Sequence, residues 1–257
     1  MQESDLDLLV RAAHQAGDIA RGFFRADPKV WDKADNAGPV TEADLRVNDM
    51  LETMLPQARP GYGWLSEETE DVSDRHDASR IFVIDPIDGT RAFIEGSRTW
   101  SHSLAIVENG VPIAAVVYLP MMDKMYTASR GGGAFLNETS MRVATSKPVD
   151  ESTVLAAKPN FENHHWKDGT PPVIPHFRSS LAYRLALVAQ GRFDAMITLR
   201  PTWEWDVAAG ALLVEEAGGT VTGRLGEAPL FNNTHPQLSG MIAGQPQLHD
   251  TLLGALA

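Results

Sequence analysis

The sequence contains no cysteine. That absence removes thiol nucleophiles, thiolate metal sites and disulfide frameworks together. Cations are scarce: 22 lysines and arginines stand against 34 aspartates and glutamates, a formal net charge of −12 with histidine neutral. A field of that sign repels duplex nucleic acid and anionic membranes. It admits a small anionic ligand only where a metal ion or a local group of cations reverses it. No apolar run approaches the roughly 18–20 residues of a membrane helix. The acidic opening MQESDLDLLV lacks the apolar centre of a signal peptide. Neither GxxxxGK(S/T) nor GxSxG occurs, which excludes the phosphate loop of nucleoside triphosphatases and the serine elbow of many hydrolases. There is no internal repeat. These absences predict a cytoplasmic protein with no nucleic-acid polymer and no membrane as partner.

What is present is ordinary globular material, with 43% hydrophobic and 22% charged residues over 257 positions. At about 150 residues per domain, this length predicts one large domain or two small ones. Leu6, Leu9, Val10, Ala13, Gly17, Ala20 and Phe24 recur at helical spacing. Lys33 to Val40 reads as a loop. Thr41 and Asp44 have capping-box spacing for a second helix that runs to about Leu55, where Pro56 is expected to stop it. β-rich runs follow at Ile81–Ile84, Leu104–Val107, Val111–Leu119 and Lys124–Ala128, with Asn109-Gly110 as a hairpin signal. After a boundary near 137–150, strands at Val154–Ala156, Phe193–Leu199 and Thr220–Thr222 alternate with helices at Leu181–Gln190, Asp206–Ala217 and Leu248–Leu256. The halves, 1–145 and 146–257, thus read as α+β followed by α/β.

Asp85-Pro86-Ile87-Asp88-Gly89-Thr90 carries most of the chemistry. Two carboxylates three residues apart at a strand end can be aimed at one point, and the Ile87 carbonyl can join them around a hard cation. Gly89 and Thr90 then present N–H groups at a helix start, an anion site. A cation beside a phosphate cradle is the minimum equipment for phosphoryl chemistry. Asp-Pro and Asp-Gly are also ordinary turn formers. Glu67-Glu68 fits a solvated surface as well as a ligand pair, and Asp206 fits a helix cap as well as a ligand. His164-His165 has no third ligand at metal spacing. A structural Ca²⁺ module is the non-enzymatic alternative, although no twelve-residue EF-type loop is present.

Taken together, the hexapeptide, Glu67-Glu68, Trp205-Asp206-Val207-Ala208-Ala209-Gly210, Val40-Thr41-Glu42-Ala43-Asp44 with Lys33 upstream, and Glu215-Glu216-Ala217-Gly218-Gly219 resemble the inositol monophosphatase family in motif and order. Ser66, where that family usually has glycine, is a departure. The resemblance implies a layered αβαβα sandwich, with an antiparallel N-terminal sheet and a mostly parallel C-terminal one. It implies a Mg²⁺-dependent, Li⁺-inhibited phosphatase, with two or three ions held by Glu67, Asp85, the Ile87 carbonyl, Asp88 and Asp206, and with Mn²⁺ able to substitute. Thr90, paired with Asp44, and Glu67 would activate the attacking water. Asp88, Gly89 and Thr90 would bind phosphate, and homodimers occur in the family.

Arg178-Ser179-Ser180-Leu181 and the run from Arg200 through Glu204 to Asp206 are most similar to the 3′(2′),5′-bisphosphate nucleotidase branch. That similarity implies substrate contacts from Arg178, Ser179, Ser180, Arg184, Arg200 and Glu204. Ala182 stands where that branch often has lysine, and the arginines would compensate. Trp203 could stack on a base or pack in the core. Asp88-Gly-Thr-Arg91-Ala-Phe93 also resembles the histidinol-phosphatase branch, and inositol monophosphates stay open.

Overall fold

The computed structural model describes residues 3–33, 38–71 and 73–257. Along the first half run α1 (Asp5–Phe23), β1 (Val30–Asp32), β2 (Pro39–Thr41), α2 (Glu42–Ala58), β3 (Gly63–Ser66), β4 (Arg80–Asp88), α3 (Thr90–Ile94), β5 (Ser101–Glu108), β6 (Val111–Leu119), β7 (Lys124–Ser129), β8 (Gly133–Leu136) and β9 (Thr139–Ser140). The second half adds β10 (Thr153–Leu155), β11 (Ile174–His176), α4 (Leu181–Ala189), β12 (Ala195–Thr198), β13 (Thr202–Trp203), α5 (Glu204–Glu216), β14 (Thr220–Thr222), β15 (Gln237–Leu238), β16 (Met241–Gly244) and α6 (Pro246–Ala255). No helix among the described residues is long and apolar enough to cross a membrane.

β3 to β9 form one seven-stranded sheet in sequence order, antiparallel except at the parallel β3–β4 pair. The second sheet has the order β11-β10-β12-β16-β14. It is mixed: β10 runs parallel to β11 and β12, while β16 is antiparallel to β12 and β14. The alternation of side chains along each strand sorts the core into layers. Leu8, Leu9 and Ala12 of α1 and Val47 and Leu51 of α2 pack on Phe82, Ile84, Leu104 and Ile106. On the sheet's opposite face, Val83, Ala105 and Val107 meet Leu185 and Val188 of α4 and Ala208 and Leu212 of α5. Those two helices also cover Met196 and Ala243 of the second sheet, whose outer face takes Leu248 and Leu252 of α6. The order is helix, sheet, helix, sheet, helix.

Several expected boundaries move. α2 carries Pro56 inside its last turn and continues to Ala58; the missing Pro56 N–H leaves the Glu52 carbonyl without its helical donor, and the helix ends two residues later. α5 begins at Glu204, with Trp203 as its cap, so Asp206 lies in the first turn and does not cap it. Of the expected loop from Lys33 to Val40, positions 34–37 lie outside the described residues and the far end is β2. The expected hairpin turn is present, with Asn109 and Gly110 both at positive φ.

Candidate active site

β4 and β5 slip register where the site forms. Asp85 pairs with Ser103 and Asp88 with Ser101, so Pro86 and Ile87 together face the single residue His102. This is a β-bulge, and Pro86, which has no N–H for the ladder, can occupy it without losing a bond. Gly89 follows at φ +96°, and a Cβ there would approach Ser180 and Trp100. The bulge and the left-handed turn turn the chain sharply into α3 and aim both aspartates at α5.

One carboxylate oxygen each from Asp85, Asp88 and Asp206 lies within 4.8 Å of the others. Asp85 is 1% exposed, and neither of its carboxylate oxygens has a hydrogen-bond partner. Burial raises its pKa well above the usual range, with Glu67, Asp88 and Asp206 adding to the rise. Asp206 is raised likewise by burial and by Asp88 and Glu67. Burial lifts Asp88 to about 6 against the pull of its own hydrogen bonds. Asp88 accepts from the Ser180 hydroxyl at 2.5 Å, from the Ala182 N–H at 2.7 Å and from the Leu181 N–H at 3.3 Å.

Glu67 and Glu68 share a cation: Lys33 Nζ lies 2.6 Å from an oxygen of each. Burial would depress this ammonium, but the two carboxylates outweigh it and hold its pKa above the ordinary value. Ser66 places its hydroxyl 2.7 Å from the Asn48 side-chain oxygen, so the departure at this position adds a tie to α2. Asp44 is fully buried and accepts from the Thr41 N–H at 2.9 Å and the Thr41 hydroxyl at 2.5 Å. Thr90 Oγ1 is 3.2 Å from Asp44 and 3.1 Å from the Ile87 carbonyl oxygen. Burial raises Asp44 to about 6, against its Thr41 hydrogen bonds.

The expected substrate residues divide. Arg184 is 6% exposed and, among the described residues, has no carboxylate within ion-pair distance. Its Nε donates to the Arg178 carbonyl at 2.6 Å. Burial lowers its pKa to about 10, with Asp88 and Asp206 acting against that fall and Arg200 adding to it. Arg184 and Arg200 therefore both feel the carboxylate centre. The other four are placed otherwise. The Ser180 hydroxyl donates to Asp88 and accepts from the Tyr183 N–H at 2.9 Å, so it is not free for a ligand. Arg178 lies over the Phe193 ring and donates to the Phe177 carbonyl. Glu204 is 0% exposed and accepts from the N–H groups of Asn232 and Asn233 and from the Asn233 side chain. Ser179 only leads into the α4 cap at Ser180. Trp203 stacks on Trp205 at 4.7 Å with an 8° interplanar angle.

Two buried groups, one of them against the β4 bulge, were silent in the sequence. His102 is fully buried on β5 with Nδ1 on the Pro86 carbonyl. Arg75, 1% exposed, holds Asp71 at 2.6 and 2.9 Å and the Asn233 carbonyl at 2.8 Å. A lone histidine or arginine has no pattern around it that marks such a role.

Known proteins resemble this chain over nearly its whole length. The model of the inositol monophosphatase family matches residues 1–257. An inositol-1-monophosphatase of Mesorhizobium japonicum is 32% identical over 98% of this chain and 95% of its own. A Nus factor SuhB of Xylella fastidiosa is 33% identical over 95% and 91%. The structure of a Thermotoga maritima IMPase superposes with a TM-score of 0.82 at 28% identity, covering 97% of this chain and 95% of that one.

Proposed function

The chain belongs to the inositol monophosphatase family of metal-dependent phosphomonoesterases, and from that premise we propose that it uses Mg²⁺ at the Asp85–Asp88–Asp206 centre to hydrolyse a small phosphate ester. The buried, unpartnered Asp85 carboxylate carries this reading. A charge so placed is costly unless a cation neutralises it. The donors are all oxygen, which suits a hard divalent ion, with Mn²⁺ as a substitute and Li⁺ as a competitor. Asp85, Asp88, Asp206, the Ile87 carbonyl and, once released by Lys33, Glu67 would hold two or three ions. Bound there, the ions supply the charge that acidifies a water and stabilises the leaving oxygen.

The chain's own groups do the rest. With the Ile87 carbonyl given to a cation, the one hydroxyl proton of Thr90 belongs to Asp44, and the Thr90 lone pairs face the attacking water as acceptors. Asp44, raised to about 6, is suited to take proton density near neutral pH. Gly89 and Thr90 N–H groups receive the phosphate. Arg184, a buried cation with no ion-pair partner among the described residues, receives an anionic group on the remainder of the substrate, with Arg200 beside it. That favours a bisphosphate such as 3′-phosphoadenosine 5′-phosphate. The name inositol-1-monophosphatase carried by relatives supports a second reading, in which a cyclitol monophosphate is the ester.

A kinetic panel separates these readings: 3′-phosphoadenosine 5′-phosphate, inositol 1-phosphate, histidinol phosphate and fructose 1,6-bisphosphate, each with Mg²⁺. The bisphosphate nucleotide should have the largest kcat/KM, and Arg184→Ala should raise its KM at least tenfold. A larger kcat/KM for inositol 1-phosphate overturns the nucleotide reading alone. Turnover in EDTA, or in Asp85→Asn, overturns the metal centre.

A further inference from the structure

We propose that His102 is a positioning residue that holds the β4 bulge in its metal-binding shape through the Pro86 carbonyl; the inference rests on the metal reading above. Pro86 lies between Asp85 and Ile87, two of the groups assigned to the ions. In the bulge Pro86 and Ile87 face one β5 residue, and that residue is His102. Its imidazole Nδ1 bonds the Pro86 carbonyl oxygen. Since that oxygen can only accept, Nδ1 carries the ring's hydrogen. Nε2 on the far side is buried with no partner, so among the described residues the ring's polar contact is with Pro86, while Trp100 packs edge-on against it at 5.5 Å.

The neighbours of His102 point the same way. Side chains alternate across β5. Ser101 and Ser103 therefore face the opposite side of the sheet, where Ser101 lies 3.0 Å from the Ser180 hydroxyl and Ser103 donates to the Trp205 carbonyl at 2.8 Å. Three consecutive residues of one strand thus grip the segments that deliver Asp88, Asp206 and the Asp85–Ile87 turn. A bulge has lost ladder bonds at its extra residue. Without the imidazole, the Pro86 carbonyl would be a buried acceptor lacking its donor, and the turn would be free to rotate Asp85 and the Ile87 carbonyl away from each other. Groups that orient metal ligands typically change affinity by about 10–100-fold when removed.

Asparagine and glutamine discriminate this bond from mere packing. The amide nitrogen of asparagine lies as many bonds from Cα as Nδ1, and that of glutamine lies one bond further, as Nε2 does. The experiment measures Mn²⁺ binding to the metal-free protein by calorimetry, without substrate, and the melting temperature in EDTA. His102→Asn should bind Mn²⁺ within about threefold of wild type, and His102→Gln and His102→Leu should bind at least about tenfold more weakly. Equal affinity in all four proteins overturns the proposal, as does an asparagine variant as weak as the glutamine one. If the leucine variant fails to fold, the asparagine–glutamine comparison decides. Wild type that takes up no Mn²⁺ overturns the metal reading itself, which is a different result from wild type and His102→Leu binding equally.

Discussion

Thr90 touches the proposed water path through one hydroxyl, and Asp44 completes it from another helix. Thr90→Ala should lower kcat by about 10²–10⁴-fold while leaving the Mg²⁺ concentration for half-maximal activity nearly unchanged. Retention of most of kcat removes the role. The same scale shows what a sequence can tell. Asp85, Asp88 and Thr90 were legible because one tight turn brings them together, and neighbours within a turn are neighbours in sequence. Glu204 was misplaced by a helix start. With α5 beginning at Glu204, Glu204 and Asp206 are two steps of roughly 100° apart and point to opposite sides. Asp206 meets the carboxylates while Glu204 meets Asn232 and Asn233. Ser180 was expected to contact substrate, and its bond to Asp88 stayed hidden because that partner lies 92 residues away in the sequence.

Between elements, α4 and α5 approach each other closely at Gly210. A Cβ on Gly210 would stand 2.5 Å from the Leu185 Cβ, too near its backbone for a rotamer change to relieve. The run of small residues after Asp206 thus sets the distance between the helices that carry Arg184 and Asp206. Gly210→Ala should gain about 1 kcal/mol in helix propensity yet lose about 1–3 kcal/mol to overpacking. The expected net result is a lower melting temperature by calorimetry, and a raised one sinks this account. The long amphipathic helices and the β5–β6 hairpin were readable from period and turn residues. The short strands β1, β2 and β3 were not, because three or four residues cannot display a period and their pairing depends on partners outside the strand itself.

For the molecule as a whole, the buried carboxylates reverse the usual dependence of stability on acid. Asp44 and Asp88 have folded values of about 6 against an ordinary 3.8. The folded, metal-free chain therefore holds more protons than the unfolded one between those values. The stability this contributes is fully present below 3.8 and is lost as pH rises through 6. In EDTA the melting temperature should fall from about pH 4 to about pH 7, and saturating Mg²⁺ should flatten or reverse the trend, since cations bind the deprotonated groups. A melting temperature that rises with pH in EDTA contradicts this. The layering also sets a timetable for the cell. About 120 residues separate Asp88 from Asp206, and a ribosome adding roughly 5–20 residues per second delivers the second roughly 6–24 seconds after the first. During that interval the face of the first sheet bearing Val83, Ala105 and Val107 has emerged without the α4 and α5 side chains that cover it. The newborn chain is therefore sticky until α5 arrives, and the helix that brings Asp206 to the other two aspartates is the same one that closes the window for aggregation.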